Sequence, residues 1–441
     1  MSRPLIHTPE GVRDIYGTEY RTKLTVEDRL HHVLSSFGYQ DIQTPTFEFF
    51  DVFGSSIGTT PSRELYKFFD KEGNTLVLRP DFTPSMARCA AKYFMGEKLP
   101  IRFSYQGNTF TNTSNLRGRL KEVTQIGAEL VQEPSVQADG EMIAMLVEAL
   151  RAAGLEDFQV SVGHVEYFKG LCSLAGLDEE TELELRELIS GKNFFGAQEL
   201  LENSQVRRDY AQVLLKVYDL SGPVSVLEQA AGLVDNERSL QAVERLQELY
   251  QVLCQYGVEK YVSFDLGLLS KYNYYTGIVF KAYTYGVGDA VAKGGRYDRL
   301  LGHFGKDAAA VGFVVVADDL LEALSRQNRL PDVKSQGVLI VYEKNRFADA
   351  LKLAREQRAA GVPAELMPAE TEAADAGTKT AVGAEAELQE TASSETAAES
   401  VPAALQPYLE AAAEHQQKQL LYLDAQGGMQ RIDVSQETAG R

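Results

Sequence analysis

The sequence predicts an α+β fold in which helices flank an antiparallel sheet, with a helical insertion and a small C-terminal α/β domain. Residues 101–113 and 120–131 alternate apolar and polar side chains around a polar loop, which predicts an antiparallel hairpin inside a larger sheet. From about residue 165 to 257 the chain is rich in Leu and Glu and is interrupted at glycines, as expected of consecutive helices. A buried-type strand at 337–342 opens the C-terminal unit.

The remaining elements follow from apolar spacing and from Gly and Pro boundaries. Residues 20–37 predict an amphipathic helix that Gly38 ends, and residues 39–45 predict a strand that Pro45 ends. Further helices are expected at 84–93, 141–153, 318–326, 347–360 and 405–418. Further strands are expected at 74–79, 159–164, 261–266, 277–285, 309–316, 364–367 and 419–423.

Composition divides the chain into a body and a C-terminal unit. We expect a body at 1–325, with the helical insertion at about 170–257, and a degenerate α/β domain at 336–441. Within the latter, residues 368–400 are almost only Ala, Glu, Thr, Ser and Gly and contain no aromatic residue. Such a segment buries too little apolar surface to offset its ordering entropy, so we predict a disordered insertion there.

Bulk composition is that of a globular protein. The 441 residues are 44% hydrophobic and 24% charged, and no apolar run reaches the roughly 20 residues of a membrane span. The N-terminus lacks the apolar stretch and cleavage site of a signal peptide, so we expect a cytoplasmic protein that is not bound to a membrane. The net charge of −19 disfavours tRNA, because tRNA is bound mainly by neutralising its phosphates.

Neither a metal nor a cofactor is expected. The cysteines, Cys89, Cys172 and Cys254, are widely spaced and odd in number, which fits neither a disulfide framework nor a CxxC metal site. The histidines are scattered, and adjacent His31 and His32 point in different directions on a helix.

Several short motifs resemble those of one enzyme family, in that family's order. Residues 38–48 (GYQDIQTPTFE) resemble motif 1 of class II aminoacyl-tRNA synthetases, a helix-to-strand junction used for dimerisation. Residues 78–83 (LRPDFT) resemble the element with which histidyl-tRNA synthetases hold the amino group of histidine. The other matches are YQGNTFTNT at 105–113 and LRGRLKEVTQIGAE at 116–129 for motif 2, NYYTG at 273–277, and KGGRYD at 293–298 with AVGF at 310–313 before motif 3.

The departures from that family concern adenylation. The resemblance implies arginines at positions 111, 270 and 319, but this chain has Thr111, Ser270 and Asp319. An acid at position 113 is likewise replaced by threonine. Because adenylation builds negative charge that pre-placed cations must stabilise, we expect no synthetase activity. The alternative is that compensating cations come from the motif 2 loop, which carries Arg117, Arg119 and Lys121.

The resemblance also implies a histidine pocket that is better preserved. In it an acid and a hydroxyl hold the ammonium, an amide and an acid face the substrate, and a tyrosine pair walls the imidazole. The corresponding residues are Asp81, Thr83, Gln125, Glu129, Tyr274 and Tyr275. Asp81 stands where the family has glutamate, and Phe82 stands where it has glycine.

A synthetase-like body without adenylation residues resembles the regulatory subunits of short-form ATP phosphoribosyltransferase. That resemblance implies a homodimer joined to catalytic subunits in a hetero-octamer, with histidine as the feedback effector and no tRNA. We expect Arg117 and Arg119 to contact the catalytic subunit or the effector. Two other functions remain open: a divergent, working histidyl-tRNA synthetase, and a histidine-sensing paralogue that acts on another partner.

Overall fold

The computed structural model describes residues 6–54, 57, 60–113, 120–269, 274–333, 336–369, 403–415 and 417–434. These described residues separate into two compact units. The first comprises Met1–Asp14 and Thr22–Pro331, and the second comprises Ile15–Arg21 and Asp332–Arg441. The division predicted from the sequence, a body at 1–325 and a degenerate α/β domain at 336–441 that resembles the anticodon-binding domain of histidyl-tRNA synthetases, stays a prediction.

The helices agree in position with most of the sequence pattern. They are α1 (Gly17–Ser36), α2 (Thr83–Tyr93), α3 (Val136–Ala153), α4 (Val165–Ala175), α5 (Glu179–Ser190), α6 (Phe194–Asn203), α7 (Arg208–Lys216), α8 (Val226–Ala231), α9 (Glu237–Tyr256), α10 (Ala317–Arg326), α11 (Phe347–Ala359) and α12 (Gln406–Glu414). Every helix in the described part of the chain is too short or too polar to be a membrane span.

The strands form a large sheet and two smaller ones. They are β1 (Gln40–Asp41), β2 (Phe47–Phe49), β3 (Lys67–Phe69), β4 (Thr75–Leu78), β5 (Ile101–Phe110), β6 (Glu122–Val131), β7 (Phe158–His164), β8 (Ser221–Gly222), β9 (Val262–Asp265), β10 (Ile278–Thr284), β11 (Ala292–Arg296), β12 (Ala310–Val316), β13 (Gly337–Tyr342), β14 (Ala364–Pro368), β15 (Gln417–Leu423) and β16 (Met429–Asp433).

The large sheet confirms the predicted α+β class. Its order is β1-β5-β6-β12-β11-β10-β7-β9-β8, and the predicted hairpin pairs β5 with β6 from Ile101↔Val131 to Phe110↔Glu122. The sheet is mixed rather than purely antiparallel, because β1 pairs with β5 and β7 pairs with β9 in parallel. Both parallel pairs join strands that are separated by long crossovers, which parallel pairing requires.

The two faces of this sheet have different roles. Ile126, Ala128 and Leu130 of β6 point into the main core, which also contains the buried side of α3. Since side chains alternate along a strand, Gln125, Gly127 and Glu129 belong to the opposite face. That face carries a second cluster that includes Phe82, Tyr105, Tyr274, Tyr275 and Tyr297, and it is where the candidate site lies.

The second unit contains the predicted small α/β sheet. Its order is β14-β13-β15-β16, with β13 parallel to both neighbours and β16 antiparallel to β15. The predicted start of disorder at residue 368 is wrong by two residues, because β14 includes Pro368 and the Ala369 N–H donates to the Tyr342 carbonyl at 2.8 Å. Residues 370–402 lie outside the described residues, so the rest of that prediction is untested.

Candidate ligand-binding site

A pocket lies on the face of the large sheet opposite α3, and the empty space counted in it, about 300 Å³, includes open solvent at its mouth. Its lining comes from strands β5, β6, β11 and β12 and from the segments before α2 and β10. The lining residues are Asp81, Thr83, Tyr105, Glu129, Tyr274, Tyr275, Lys293, Gly294, Gly295, Tyr297, Gly312, Phe313 and Val314.

Glu129 is the central polar group of the pocket. Its Oε1 accepts hydrogen bonds from the Thr83 hydroxyl at 3.1 Å and from the Tyr105 hydroxyl at 3.4 Å. Its Oε2 accepts from the Tyr297 hydroxyl. The side chain is 1% exposed, so the carboxyl group is held in one place by hydroxyls rather than by water.

The protonation of Glu129 follows from this burial. The pKa of its carboxyl is raised to about 8, chiefly by desolvation; the Tyr297 hydrogen bond opposes this shift, and the neighbouring Asp81 charge adds to it. At neutral pH the empty pocket therefore holds mostly a neutral carboxylic acid. A bound cationic group would draw the proton off, which couples ligand charge to proton release.

Glycines make room for this carboxyl and for the aromatic wall. A Cβ on Gly312 would lie 1.6 Å from Glu129 Oε2, and a Cβ on Gly295 would lie 2.6 Å from a Tyr275 ring carbon. A Cβ on Gly127 would meet the Tyr105 hydroxyl at 2.6 Å. The pocket exists because these strand positions carry no side chain.

The tyrosine pair forms one wall. The rings of Tyr274 and Tyr275 have centroids 4.6 Å apart, and Tyr274 meets Tyr297 edge to face at 5.9 Å. All of these rings are buried. Such a wall is apolar over its ring faces and carries hydroxyls at its edges, which suits a flat polar heterocycle.

Asp81 and Thr83 bring an acid and a hydroxyl to the start of α2. Asp81 Oδ1 accepts the Thr83 backbone N–H at 3.3 Å, and the Thr83 hydroxyl reaches Glu129. Phe82 between them turns away and stacks on the Tyr105 ring at 4.4 Å, with the Arg79 guanidinium 4.0 Å from its centroid. Phe82, which stands where the resemblance has glycine, therefore packs against the ring of Tyr105.

The structure thus brings Asp81, Thr83, Glu129, Tyr274 and Tyr275 into one pocket. Gln125 shares the face of Glu129 but does not line the pocket, and among the described residues its buried Oε1 has no hydrogen-bond partner. Arg117, Arg119 and Ser270 lie outside the described residues, so nothing tests the contacts expected of the two arginines.

Sequence reasoning did not single out several lining residues. The motifs quoted above include Tyr105, Lys293, Tyr297 and Gly312 but give none of them a role in the site. The signal that identifies them is the register of the sheet, since Glu129 pairs with Gly312 and Gly312 with Gly295. Directly opposed residues share a face, so the register places Gly312 beside Glu129, and Tyr105 and Lys293 in the next row on the same face.

The positions implied for adenylation carry other chemistry. The Thr111 N–H donates to the Lys121 carbonyl at 2.8 Å. Asp318 accepts the Thr124 N–H at 2.7 Å and pairs with Lys23, whose ammonium lies 3.6 Å away. Burial, with Asp289 next in effect, raises the pKa of Asp319 to about 6, whereas nearby Lys293 lowers it. Among the described residues, these positions carry a hydroxyl and acids in place of arginines.

Metal binding has no support in the described part of the chain, where no cluster of His, Cys, Asp and Glu side chains is arranged to hold an ion. The free cysteines differ in exposure: Cys89 and Cys172 are buried and Cys254 is exposed. Burial raises the pKa of the Cys89 thiol, which makes it a poor nucleophile.

Comparisons with known proteins relate this chain to histidyl-tRNA synthetases and to ATP phosphoribosyltransferase regulatory subunits. The sequence model of the histidyl-tRNA synthetase family matches residues 11–320. An ATP phosphoribosyltransferase regulatory subunit from Acetivibrio thermocellus is 39% identical over 361 residues, which cover 82% of this chain and 86% of the relative.

Solved structures have the same fold. One described as an ATP phosphoribosyltransferase regulatory subunit/histidyl-tRNA synthetase from Bacillus halodurans is 35% identical, with a TM-score of 0.76 over 83% of this chain and 94% of that chain. The histidyl-tRNA synthetase from Nostoc is 18% identical, with a TM-score of 0.73 over 99% of each chain, and this likeness concerns the fold alone.

Proposed function

The chain belongs to the family of ATP phosphoribosyltransferase regulatory subunits, which share the fold of histidyl-tRNA synthetases, and we propose that it is the non-catalytic regulatory subunit of a short-form ATP phosphoribosyltransferase. In this role it activates the catalytic subunit and makes it sensitive to histidine, in the first step of L-histidine biosynthesis. The assembly we propose is a homodimer of this chain within a cytoplasmic hetero-octamer, without tRNA.

The observation that supports the proposal most directly is which side chains line the pocket and which are missing from it. The acid, hydroxyl and tyrosine groups expected to bind histidine line one pocket together with Glu129. At the positions where the family has arginines, the chain carries Thr111, Ser270 and Asp319, which offer no guanidinium to a triphosphate. A site that can hold an amino acid but lacks those cations is suited to sensing and not to activation.

Feedback requires that histidine bind one conformation of the complex better than another. Through its hydrogen bonds, Glu129 on β6 links the first residue of α2 (Thr83), the strand β5 (Tyr105) and the residue after β11 (Tyr297). A ligand that recruits this carboxyl acts on all of these elements together. We propose that this is how occupancy is transmitted to the catalytic subunit.

The test is phosphoribosyl transfer from 5-phosphoribosyl diphosphate to ATP by the cognate short-form catalytic subunit, with and without this chain and histidine. We expect the chain to raise the rate and to make it sensitive to histidine. Tyr297→Phe removes a hydroxyl bonded to Glu129 and should weaken inhibition while leaving activation. Tyr167→Phe is the matched control, because its hydroxyl bonds the Ala230 carbonyl at 3.1 Å outside the pocket.

The alternatives give different results. A working synthetase would exchange pyrophosphate into ATP in the presence of histidine, and this chain should not. A histidine sensor for another partner would bind histidine but neither activate the cognate catalytic subunit nor co-purify with it. Absence of both activation and histidine sensitivity in the transfer assay would overturn the proposal.

A further inference from the structure

Phe82 lies beside the pocket without lining it. Its side chain is 1% exposed, and its ring stacks on the Tyr105 ring with centroids 4.4 Å apart and planes 18° from parallel. The Tyr105 hydroxyl donates to Glu129 Oε1 at 3.4 Å inside the pocket. Because buried, closely packed rings hold one another in place, Phe82 helps to fix where the Tyr105 hydroxyl meets the carboxyl.

The Phe82 ring also contacts a buried cation. The Arg79 guanidinium carbon lies 4.0 Å from the ring centroid, and Arg79 is 6% exposed. A Cβ on Gly107 of β5 would lie 2.6 Å from Arg79 Nη2 and 3.2 Å from the Phe82 ring, so this strand carries no side chain where the two groups meet. A cation is attracted to the face of an aromatic ring, most strongly where water is excluded. Arg79, Phe82 and Tyr105 therefore form one buried stack.

Arg79 joins this stack to residues 44–46, which connect β1 to β2. Its Nη1 donates to the Thr44 carbonyl at 3.0 Å, and its backbone N–H donates to the Thr46 carbonyl at 2.9 Å. Its Nε donates to the Asn108 carbonyl of β5 at 2.8 Å. The planar guanidinium holds its donors in fixed directions, so a shift of the ring against it is passed on to the carbonyls that it binds.

We propose that Phe82 is a positioning residue that transmits the presence of histidine from Tyr105 to Arg79, and through Arg79 to residues 44–49, which lead into and form β2. The inference rests on the proposed function, in that the ligand is the histidine effector. A glycine, which the resemblance has at position 82, could not form this stack. The connection is therefore a feature of this chain that amino-acid activation does not require.

The stack should matter more for the response to histidine than for its binding. The Tyr105 bond to Glu129 is 3.4 Å long, whereas the Thr83 bond to the same oxygen is 3.1 Å long, and Tyr297 holds the other oxygen. Loss of the stack leaves the carboxyl with Thr83 and Tyr297. It removes the only contact by which Phe82 joins Tyr105 to Arg79. A role in folding alone would not separate binding from response in this way.

The test combines calorimetric titration of the full-length chain with L-histidine and hydrogen–deuterium exchange over residues 44–49, read by mass spectrometry. In the parent chain we expect histidine to slow this exchange. In Phe82→Leu, which keeps an apolar side chain but loses the flat ring, histidine should still bind and the slowing should be lost. In the complex with the cognate catalytic subunit, the histidine concentration for half-inhibition should rise by about 5-fold or more, the lower end of usual coupling between sites.

Two further variants sharpen the test. Arg79→Lys keeps the charge but cannot lie flat on the ring while binding carbonyls on both sides, so it should give the same separation of binding from response. It also tests the connection independently if Phe82→Leu does not fold. Phe264→Leu is the matched control, because its ring is equally buried but packs in the main core against Tyr250. It should respond to histidine as the parent chain does.

The other results count against the inference in distinguishable ways. A parent chain that binds histidine without slower exchange over residues 44–49 overturns it, as does unaltered inhibition in both Phe82→Leu and Arg79→Lys. Either result leaves the proposed function standing if the catalytic subunit is still inhibited by histidine. Equal losses of binding and response in both variants mean a structural role only. If the parent chain neither binds histidine nor confers sensitivity to it, the proposed function and the inference fail together.

Discussion

Gly312 and Glu129 stand opposite each other on β12 and β6, and the Glu129 carboxyl lies over the position that a Gly312 side chain would occupy. A Cβ there would be 1.6 Å from Oε2, and the nearest backbone atom, the Ala128 carbonyl oxygen, would be 2.8 Å away. The carboxyl cannot retreat easily, since it is buried and hydrogen-bonded on both oxygens. The glycine is therefore part of the site although it has no side chain.

Gly312→Ala should displace the Glu129 carboxyl and lower both stability and histidine binding. Overpacking of this kind costs about 1–3 kcal/mol of unfolding free energy. Urea unfolding and calorimetric titration measure the two effects. Gly302→Ala is the control, because a Cβ on that exposed glycine meets nothing within 4 Å. Unaltered histidine affinity in Gly312→Ala would show that the carboxyl position is not needed for the ligand.

The raised pKa of Glu129 predicts a pH dependence of stability. An unfolded glutamic acid titrates near 4.3, so between about pH 4.3 and 8 the folded chain holds a proton that the unfolded chain has lost. The stabilisation of the folded state by this proton is complete below the unfolded pKa and is lost as pH rises through about 8. Over that interval the unfolding free energy falls by up to about 1.4 kcal/mol per pH unit.

Glu129→Gln carries the same shape without that proton. We expect its unfolding free energy to decline less steeply between pH 5 and 8 than that of the parent chain, as measured by urea titration at several pH values. Glu141→Gln on α3 is a control with a partly buried carboxyl that bonds Arg102. Parallel pH profiles for the parent chain and Glu129→Gln would mean that the folded carboxyl is already ionised.

The sequence predicts the parts of the fold and site that depend on local pattern. Alternation in β5 and β6 predicts their hairpin. The order of the motifs identifies Asp81, Thr83 and Glu129 as candidate site residues, and all three line the pocket. Alternation also puts Gln125 on the face of Glu129. It does not tell how far a pocket extends along a strand, and this one ends at the row of Val314, before Gln125 and its partner Val316.

Strand β11 shows what local pattern cannot provide. Its sequence, Ala-Lys-Gly-Gly-Arg, has the composition of a turn, because glycine weakens strands. The glycines are needed for contacts made elsewhere, since a Cβ on Gly294 would lie 2.5 Å from a Phe280 ring carbon. Only the assembled sheet gives this reason, and only its register shows that Lys293 lines the pocket.

A buried ion-pair group fixes the end of β11. Asp139 is fully buried and bonds Arg296 at 2.8 Å and Arg245 at 2.6 Å, and Arg296 directly precedes Tyr297 of the pocket. Asp139→Ala would leave the buried Arg296 guanidinium with only the partly exposed Asp298 as its counter-charge, and we expect a loss of about 3–5 kcal/mol of unfolding free energy. Asp209→Ala breaks the exposed pair with Arg207 and should change stability little, as urea unfolding will measure. Similar losses in both variants would contradict the burial argument.

At the end of β7, His164 should give the unfolding free energy the opposite pH dependence, a decrease as the pH falls into the acid range. Burial lowers the pKa of its imidazole to about 4, and its Nδ1 accepts the Glu166 N–H at 3.2 Å at the start of α4. An unfolded histidine titrates near 6.5, so this contribution is complete above about pH 6.5 and is lost as pH falls through about 4.

His164→Asn keeps an acceptor for the Glu166 N–H, since asparagine caps helices well, and removes the titrating ring. We expect its unfolding free energy to fall less steeply than that of the parent chain between pH 6.5 and 4, measured by urea unfolding. His303→Asn replaces an exposed histidine and serves as the control. An unchanged acid slope in His164→Asn, with α4 intact by circular dichroism, would mean that the buried imidazole accepts a proton without cost to the fold.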